Sequence, residues 1–250
     1  MSDLANRTAL VTGGSRGIGR SCCLRLGQAG ARVVVNYRAN AQAADETVAA
    51  IVAAGGEAVA VQADVSDEDQ VARLVAKSVS HFGPVELLVN NAGIFEYGPY
   101  TELTPAAWHR TMSVNLTSVY LVTWAVKDAM IERGFGRIVN LSSVAGLRPR
   151  AMAIAYATSK AAVVSFTQST AEAWARLGIR VNAIAPGLID TEIIEHVADD
   201  AKQRLIDATP IPRLGVAEEI ANACYFLLSE QSSFVTGQTL VADGGRVMLP

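Results

Sequence analysis

Cysteine is scarce in this chain of 250 residues: three occur, and two of them, Cys22 and Cys23, are adjacent. No disulfide framework and no metal-ligand spacing can be made from Cys22, Cys23 and Cys224, which read as packing residues. Charge of either sign is not in excess. A net charge of −3 leaves no basic footprint for nucleic acid or for an anionic membrane. No apolar run approaches the ~20 residues of a membrane span. The segment from Met1 to Arg7 holds no apolar stretch of the signal-peptide kind. With so little cysteine, the cytoplasm is the expected compartment. Linkers, low-complexity tracts and composition shifts are missing too, so residues 1–250 read as one domain. What the chain does have is apolar side chains, at 50% of all residues, enough for one large core.

Short apolar runs alternate with helical patterns from end to end. Strands are expected at about 8–12, 32–36, 58–63, 86–90, 136–141, 178–184 and 239–242. Helices are expected at about 20–30, 41–54, from a cap at Ser66 to His81, 105–133 after Thr104 and Pro105, from the region of Tyr156 to Leu177, and 217–229. Such alternation specifies an α/β fold, a parallel sheet of seven strands with helices on both faces. Ligands in open sheets of this kind bind at the carboxyl ends of the strands.

Between the first strand and first helix lies Gly13-Gly-Ser-Arg-Gly17-Ile-Gly19. Strand, glycine turn and helix together make a phosphate cradle: glycine lets the backbone approach, and the helix start offers N–H groups to an anion. The spacing is Gly-x-x-x-Gly-x-Gly rather than the commoner Gly-x-Gly-x-x-Gly. The second strand ends in Asn36-Tyr37-Arg38, where a carboxylate would hold the ribose 2′-hydroxyl of NAD. Two guanidiniums, Arg16 and Arg38, and no acid suit a 2′-phosphate instead, so NADPH/NADP+ is expected over NADH. Asp64 and Val65, after the third strand, are placed to meet the adenine.

Tyr156 and Lys160 are four apart on one helix face, and Ser143 lies thirteen residues before the tyrosine. A free tyrosine, with a pKa of about 10, is a poor acid or base at neutral pH. A neighbouring ammonium is expected to lower that value, and a hydroxyl opposite can hold a carbonyl oxygen. The group suits proton transfer to or from a carbonyl or alcohol oxygen.

The set Thr12-Gly-Gly-Ser-Arg-Gly-Ile-Gly19, Asn90-Asn-Ala-Gly93, Asn115, Ser143, Tyr156-x-x-x-Lys160 and Pro186-Gly187 resembles the short-chain dehydrogenase/reductase family over almost the whole chain. Within that family the chain is most similar to 3-oxoacyl-[acyl-carrier-protein] reductases of fatty-acid synthesis, and glucose dehydrogenases are similar too. The resemblance implies a single-domain Rossmann fold and an oxidoreductase acting on CH–OH groups. It implies Tyr156 as general acid or base and Lys160 on the nicotinamide ribose. Ser143, rather than Ser142, would bond the substrate oxygen, and Asn115 would order a water that relays protons from Lys160. Gly13, Ser15, Arg16, Gly17, Ile18, Gly19, Asn91, Ala92, Gly93, Pro186, Gly187, Ile189 and Thr191 would line the cofactor. His81, His109 and His196 match no family site.

The resemblance further implies a homotetramer built through the helices that carry Asn115 and Tyr156, whose apolar positions include Val119, Val122, Val126, Val163 and Phe166. Residues 188–212 are the expected substrate lid, and their acids argue against a strongly anionic substrate. Phe95, Tyr97 and Met152 offer apolar walls. An acidic acyl carrier protein would need basic residues at the entrance. The family's two arginines are displaced by one position here, to Arg133 and Arg176, and Arg148 and Arg150 stand nearby as substitutes. The alternative is a dehydrogenase or reductase of sugars or other alcohols.

Overall fold

The computed structural model describes residues 4–192 and 199–248. Seven strands form one all-parallel sheet: β1 (Thr8–Val11), β2 (Arg32–Tyr37), β3 (Glu57–Gln62), β4 (Leu87–Asn90), β5 (Gly136–Leu141), β6 (Ile179–Pro186) and β7 (Thr239–Ala242). Their order is β3-β2-β1-β4-β5-β6-β7. β1, β4, β5 and β6 are buried along their whole length, which is why they are mainly apolar on both faces, and the polar residues they do carry, such as Asn140 and Arg180, are hydrogen-bonded inside.

Helices cover both faces. α1 (Gly17–Gln28), α2 (Ala41–Ala53) and α8 (Ala217–Leu228) bury Cys22, Leu26, Ile51 and Ile220 against one face. α3 (Glu68–Phe82), α5 (Ser118–Arg133) and α6 (Ile154–Trp174) bury Leu74, Val122, Val126 and Trp174 against the other. α4 (Pro105–Met112) and α7 (Asp199–Asp207) lie outside these two layers in the chain order. This is a Rossmann-like fold, with its crevice where the strand order reverses, between β1 and β4.

Local chemistry accounts for where the helices begin. Thr104 caps α4 by accepting the Ala107 N–H at 3.2 Å, with Pro105 at the first helical position. α3 is capped by Asp67, not by Ser66: the Asp67 carboxylate accepts the Gln70 N–H at 2.9 Å. Ser66 instead donates to Asp64 at 2.6 Å, which tightens the turn out of β3. α1 starts at Gly17, three residues before Arg20, so the last glycines of the loop are already helical. The pattern expected as one helix over 105–133 is divided. A five-residue π-helical turn, Ser113–Thr117, joins α4 to α5 and carries Asn115 in its middle.

Val119, Val122, Val126 and Val163 all lie within the core of a single chain. The outward apolar surface of α5 is aromatic instead: Tyr120 and Trp124 are exposed, and Trp124 contacts the rings of Phe166 and Trp174. The lid expected at 188–212 includes residues 193–198, and His196 with them, which lie outside the described residues.

The start of β6 shows how tightly the frame is built. Gly178 has φ +81°, and a Cβ there would sit 2.1 Å from the Gly134 carbonyl oxygen. Gly178→Ala should therefore lower stability by about 2–4 kcal/mol, read as a lower urea midpoint at unchanged slope. An unchanged midpoint would show that this junction is freer than its geometry allows.

Candidate active site

The floor of the crevice is stitched by side chains at the ends of β1, β2 and β4. The Thr12 hydroxyl accepts the N–H groups of Asn91 and Ala92 at 2.9 and 3.0 Å. The Asn91 amide donates back to the carbonyls of Thr12 and Gly13 at 2.9 and 3.1 Å. Asn36 is buried. Its side-chain oxygen accepts the Gly13 N–H at 3.3 Å, and its amide donates to the carbonyls of Val61 and Ala63 at 3.3 and 3.1 Å. These bonds hold the glycine turn in its path. Gly13 and Gly17 have φ +64° and +50°, and a Cβ on Gly19 would meet the Gly13 oxygen at 2.1 Å.

This turn fits an anionic nucleotide. The first turn of α1 holds no acid, and Arg16 at its cap makes no side-chain bond to the helix start. The N–H groups beside Ser15, Arg16, Gly17 and Ile18 are thus left for an external acceptor, with the positive end of the helix behind them. Arg16 and Arg38 are exposed. Thr191 reaches the same turn from the far side of the sheet, its methyl 3.3 Å from where a Gly17 Cβ would lie. Asp64 is engaged with Ser66, beside buried Val65. Pro186 ends β6, and Gly187 lies so close to Asp243 that a Cβ would fall 2.7 Å from it. The Ile189 side chain packs into the core, and its backbone forms a β-bridge with Gly215.

The reacting groups stand beyond the ends of β4 and β5. Ser142 donates to the Lys160 carbonyl at 2.8 Å and faces α6, which leaves Ser143 as the hydroxyl beside Tyr156. The edge of the Phe95 ring packs on Tyr156, with centroids 4.9 Å apart. The Lys160 ammonium donates to the Leu141 carbonyl at 2.7 Å and lies 5.8 Å from the centre of the Tyr156 ring. Gly93 adjoins it, since a Cβ there would come within 3.6 Å of the amine and 3.3 Å of the Asn115 oxygen.

Asn115 is fully buried and does not reach Lys160. Its oxygen accepts the Ile94 N–H at 2.8 Å, and its amide donates to the Ile94 carbonyl at 3.0 Å and to Ser159 at 3.1 Å. Ser159 passes the connection on to the Tyr156 carbonyl at 2.7 Å. Ser159 is a structural member of the site that the motif spacing did not single out, and Thr12, the first residue of the glycine motif, was given no role there. The signal was present for Ser159, which stands directly before Lys160 on the same helix.

Electrostatics differ from the expectation in one respect. The Tyr156 pKa is raised above 10, not lowered. Part of the residue remains accessible, but the phenol is densely surrounded, and loss of water outweighs the opposing pull of Ser143, whose hydroxyl can donate to it. The ammonium, at its distance and already bonded to Leu141, does not reverse this. Burial also brings the Lys160 amine down to about 8.

The crevice and its grouped hydroxyls and amine define an oxidoreductase that uses a nicotinamide dinucleotide. Residues 13–246 match the family model described as enoyl-(acyl carrier protein) reductase, and the chain belongs to the short-chain dehydrogenase/reductase family. It is 40% identical over 249 residues to a 3-oxoacyl-[acyl-carrier-protein] reductase of Synechocystis, covering 99% of this chain and all of that one. It is 39% identical over 252 residues to glucose 1-dehydrogenase 2 of Bacillus subtilis, covering 99% and 97%. Among solved structures, a protein of Agrobacterium tumefaciens provisionally assigned as a gluconate dehydrogenase superposes with a TM-score of 0.95 at 35% identity, over 99% of this chain and 98% of that one. None of the helices among the described residues is long and apolar enough to cross a membrane.

The lysine gives a test that needs no substrate. Below pH 8 the folded protein keeps a charged amine out of water. Between about 8 and the ordinary 10.5 the folded form has released that proton while the unfolded chain still holds it, so stability rises with pH. Lys160→Met removes this dependence. The stability advantage of the variant should shrink by about 1.4 kcal/mol per pH unit across this window, measured by denaturant unfolding. Parallel curves for the two proteins would refute the buried, depressed amine.

Proposed function

We propose that this chain is an NADPH-dependent carbonyl reductase acting on a 3-oxoacyl thioester. The observation that carries the chemistry is the pair of hydroxyls, Ser143 and Tyr156, gathered beside the buried Lys160 amine at the carboxyl edge of the sheet. Bound nicotinamide supplies the hydride, and the protein orients and protonates. Ser143 donates a hydrogen bond to the substrate oxygen and stabilises its developing charge. Tyr156 then gives its proton to that oxygen. Burial raises the Tyr156 pKa above the ordinary tyrosine value, which favours the protonated form that reduction requires. In the oxidative direction Ser143 and the Lys160 charge would favour the phenolate. Lys160 would also hold the nicotinamide ribose. Because the Asn115 side chain is fully engaged, any water relay from Lys160 would use the Asn115 main chain.

The cofactor preference is supported by Arg16 and Arg38. Both guanidiniums are exposed and have no carboxylate partner among the described residues, and the end of β2 carries no acid. Gln62 bonds the Arg38 carbonyl at 2.9 Å and holds the backbone at that corner. The thioester is supported by full-length similarity to the Synechocystis reductase. A sugar or another alcohol is the second reading, supported by nearly equal similarity to the Bacillus enzyme. A homotetramer belongs to the same reading, with Tyr120 and Trp124 as the apolar surface available to it.

Tyr156→Phe should reduce turnover at least about a thousand-fold while NADPH affinity, measured by fluorescence titration, stays within about two-fold. Substantial remaining turnover would sink the proton-transfer role. Arg38→Ala should weaken NADPH by roughly ten-fold or more and leave NADH nearly unchanged, whereas equal losses would refute reading of the 2′-phosphate. NADPH oxidation with an acetoacetyl thioester, beside a simple ketone and an aldose/lactone pair run in the matching direction, separates the two substrate readings.

A further inference from the structure

Arg148 and Arg150 lie on the segment that follows the Ser143 loop, and Arg246 follows β7. β5 and β7 flank β6 in a parallel sheet, so their carboxyl ends emerge on the same edge, about 10 Å apart. Two contacts draw the chain after β7 toward the substrate side. Gly187 packs on Asp243, and Ile211 donates its N–H to the Gly244 carbonyl at 3.0 Å. The Asp243 carboxylate accepts the N–H groups of Gly245, Arg246 and Val247 at 2.9, 3.2 and 2.6 Å, which fixes the turn from which Arg246 projects. On the other strap, the Arg150 carbonyl accepts the Ala153 N–H, one residue before α6 begins.

The three guanidiniums lie within electrostatic reach of one another. Arg150 is held below the ordinary arginine range, first by burial and then by the charges of Arg246 and Arg148. Arg246 is lowered likewise by burial and by Arg148, with Asp243 opposing. Even so, all three stay charged at neutral pH. Among the described residues none of them forms an ion pair, in contrast to Arg7, Arg110, Arg137 and Arg213, which pair with Glu86, Glu96, Glu230 and Glu219. Arg150 and Arg246 are half-buried and Arg148 is exposed beside them; like charges so gathered repel, and Asp243, committed to three N–H groups, offsets only part of this. An external anion would relieve it.

We propose that Arg148, Arg150 and Arg246 form a subsite for an oxyanion, a carboxylate or a phosphate ester, that the substrate carries some distance from its reacting carbonyl. The proposal rests on the carbonyl-reductase reading above and narrows its substrate class to anionic compounds. It runs against the expectation drawn from the acids of residues 188–212. The basic cluster stands on two other segments, around 147–152 and 243–248, the second of which packs on residues 209–211, and supplies the attraction that the lid sequence lacks.

The test is calorimetric and needs no turnover. Gluconate and pantetheine 4′-phosphate serve as anionic probes, with glucose and pantetheine as their neutral counterparts, titrated into the full chain. Arg148→Gln, Arg150→Gln and Arg246→Gln should each weaken the anionic probe roughly ten-fold or more and leave the neutral probe unchanged. Arg150→Lys should recover part of the loss. Binding of the phosphate probe alone would identify a phosphopantetheine-type thioester, and binding of gluconate alone a sugar acid or oxo acid. Failure of the wild-type protein to bind either anion would overturn the subsite, as would binding that survives all three glutamine variants. Loss of turnover on every ketone, with anion binding intact, would strike the reductase reading and not this one.

Discussion

The buried amide of Asn115 is the interaction on which the active site depends. It pairs with both main-chain groups of Ile94 and with Ser159, so three elements meet at one side chain: the loop after β4, the π turn before α5, and α6. Tyr156 and Lys160 take their places from that junction, because Ser159 lies between them and is bonded on to the Tyr156 carbonyl. Without the amide, a buried N–H and a buried carbonyl at Ile94 would lose their partners, at about 1–3 kcal/mol each. The π turn serves the same purpose. An extra residue within the turn changes the phase of the helix and brings Asn115 inward while Val119, Val122 and Val126 still meet the core.

A second constraint is dryness. Ser142, Ser159, Lys160 and Asn115 are all nearly inaccessible, and each has at least one named backbone or side-chain partner. Polar groups are tolerated there because they are hydrogen-bonded. The cost appears as altered acidity: the phenol holds its proton more tightly and the amine less tightly than in water. Burial moves the two apart on the pH scale, the phenol upward and the amine down to about 8, so the tyrosine is the group that keeps its proton.

Much of this arrangement is legible in the chain. The strand–helix alternation specifies the parallel sheet because fully buried strands need mainly apolar residues on both faces and the crossovers need amphipathic ones. The Ser143, Tyr156 and Lys160 spacing brings the three side chains together because a helix and a strand end are rigid rulers. What sequence alone leaves hidden depends on contacts across the fold. The Asp67 cap follows from the conformation of a single residue, and Ser66 was an equally good capping residue by type. The valines of α5 face the core and leave Tyr120 and Trp124 outside, which periodicity cannot decide when the pattern is interrupted by a π turn. The direction of the Tyr156 shift depends on how much water the surrounding elements exclude, and no motif carries that quantity. Arg246 is separated from Arg148 by nearly a hundred residues, and only the sheet edge brings them together.

Asn36 faces inward. Its side chain is committed to Gly13, Val61 and Ala63, so the end of β2 is braced by a residue that supports the frame and has no side-chain capacity left for a ligand. On the proposed reading, discrimination between nucleotides would fall to exposed neighbours, Arg16 and Arg38. Frame and selectivity are thereby uncoupled in this corner of the molecule. On that reading, such a scaffold would exchange one cofactor for another through one or two exposed positions, with the frame beneath left intact.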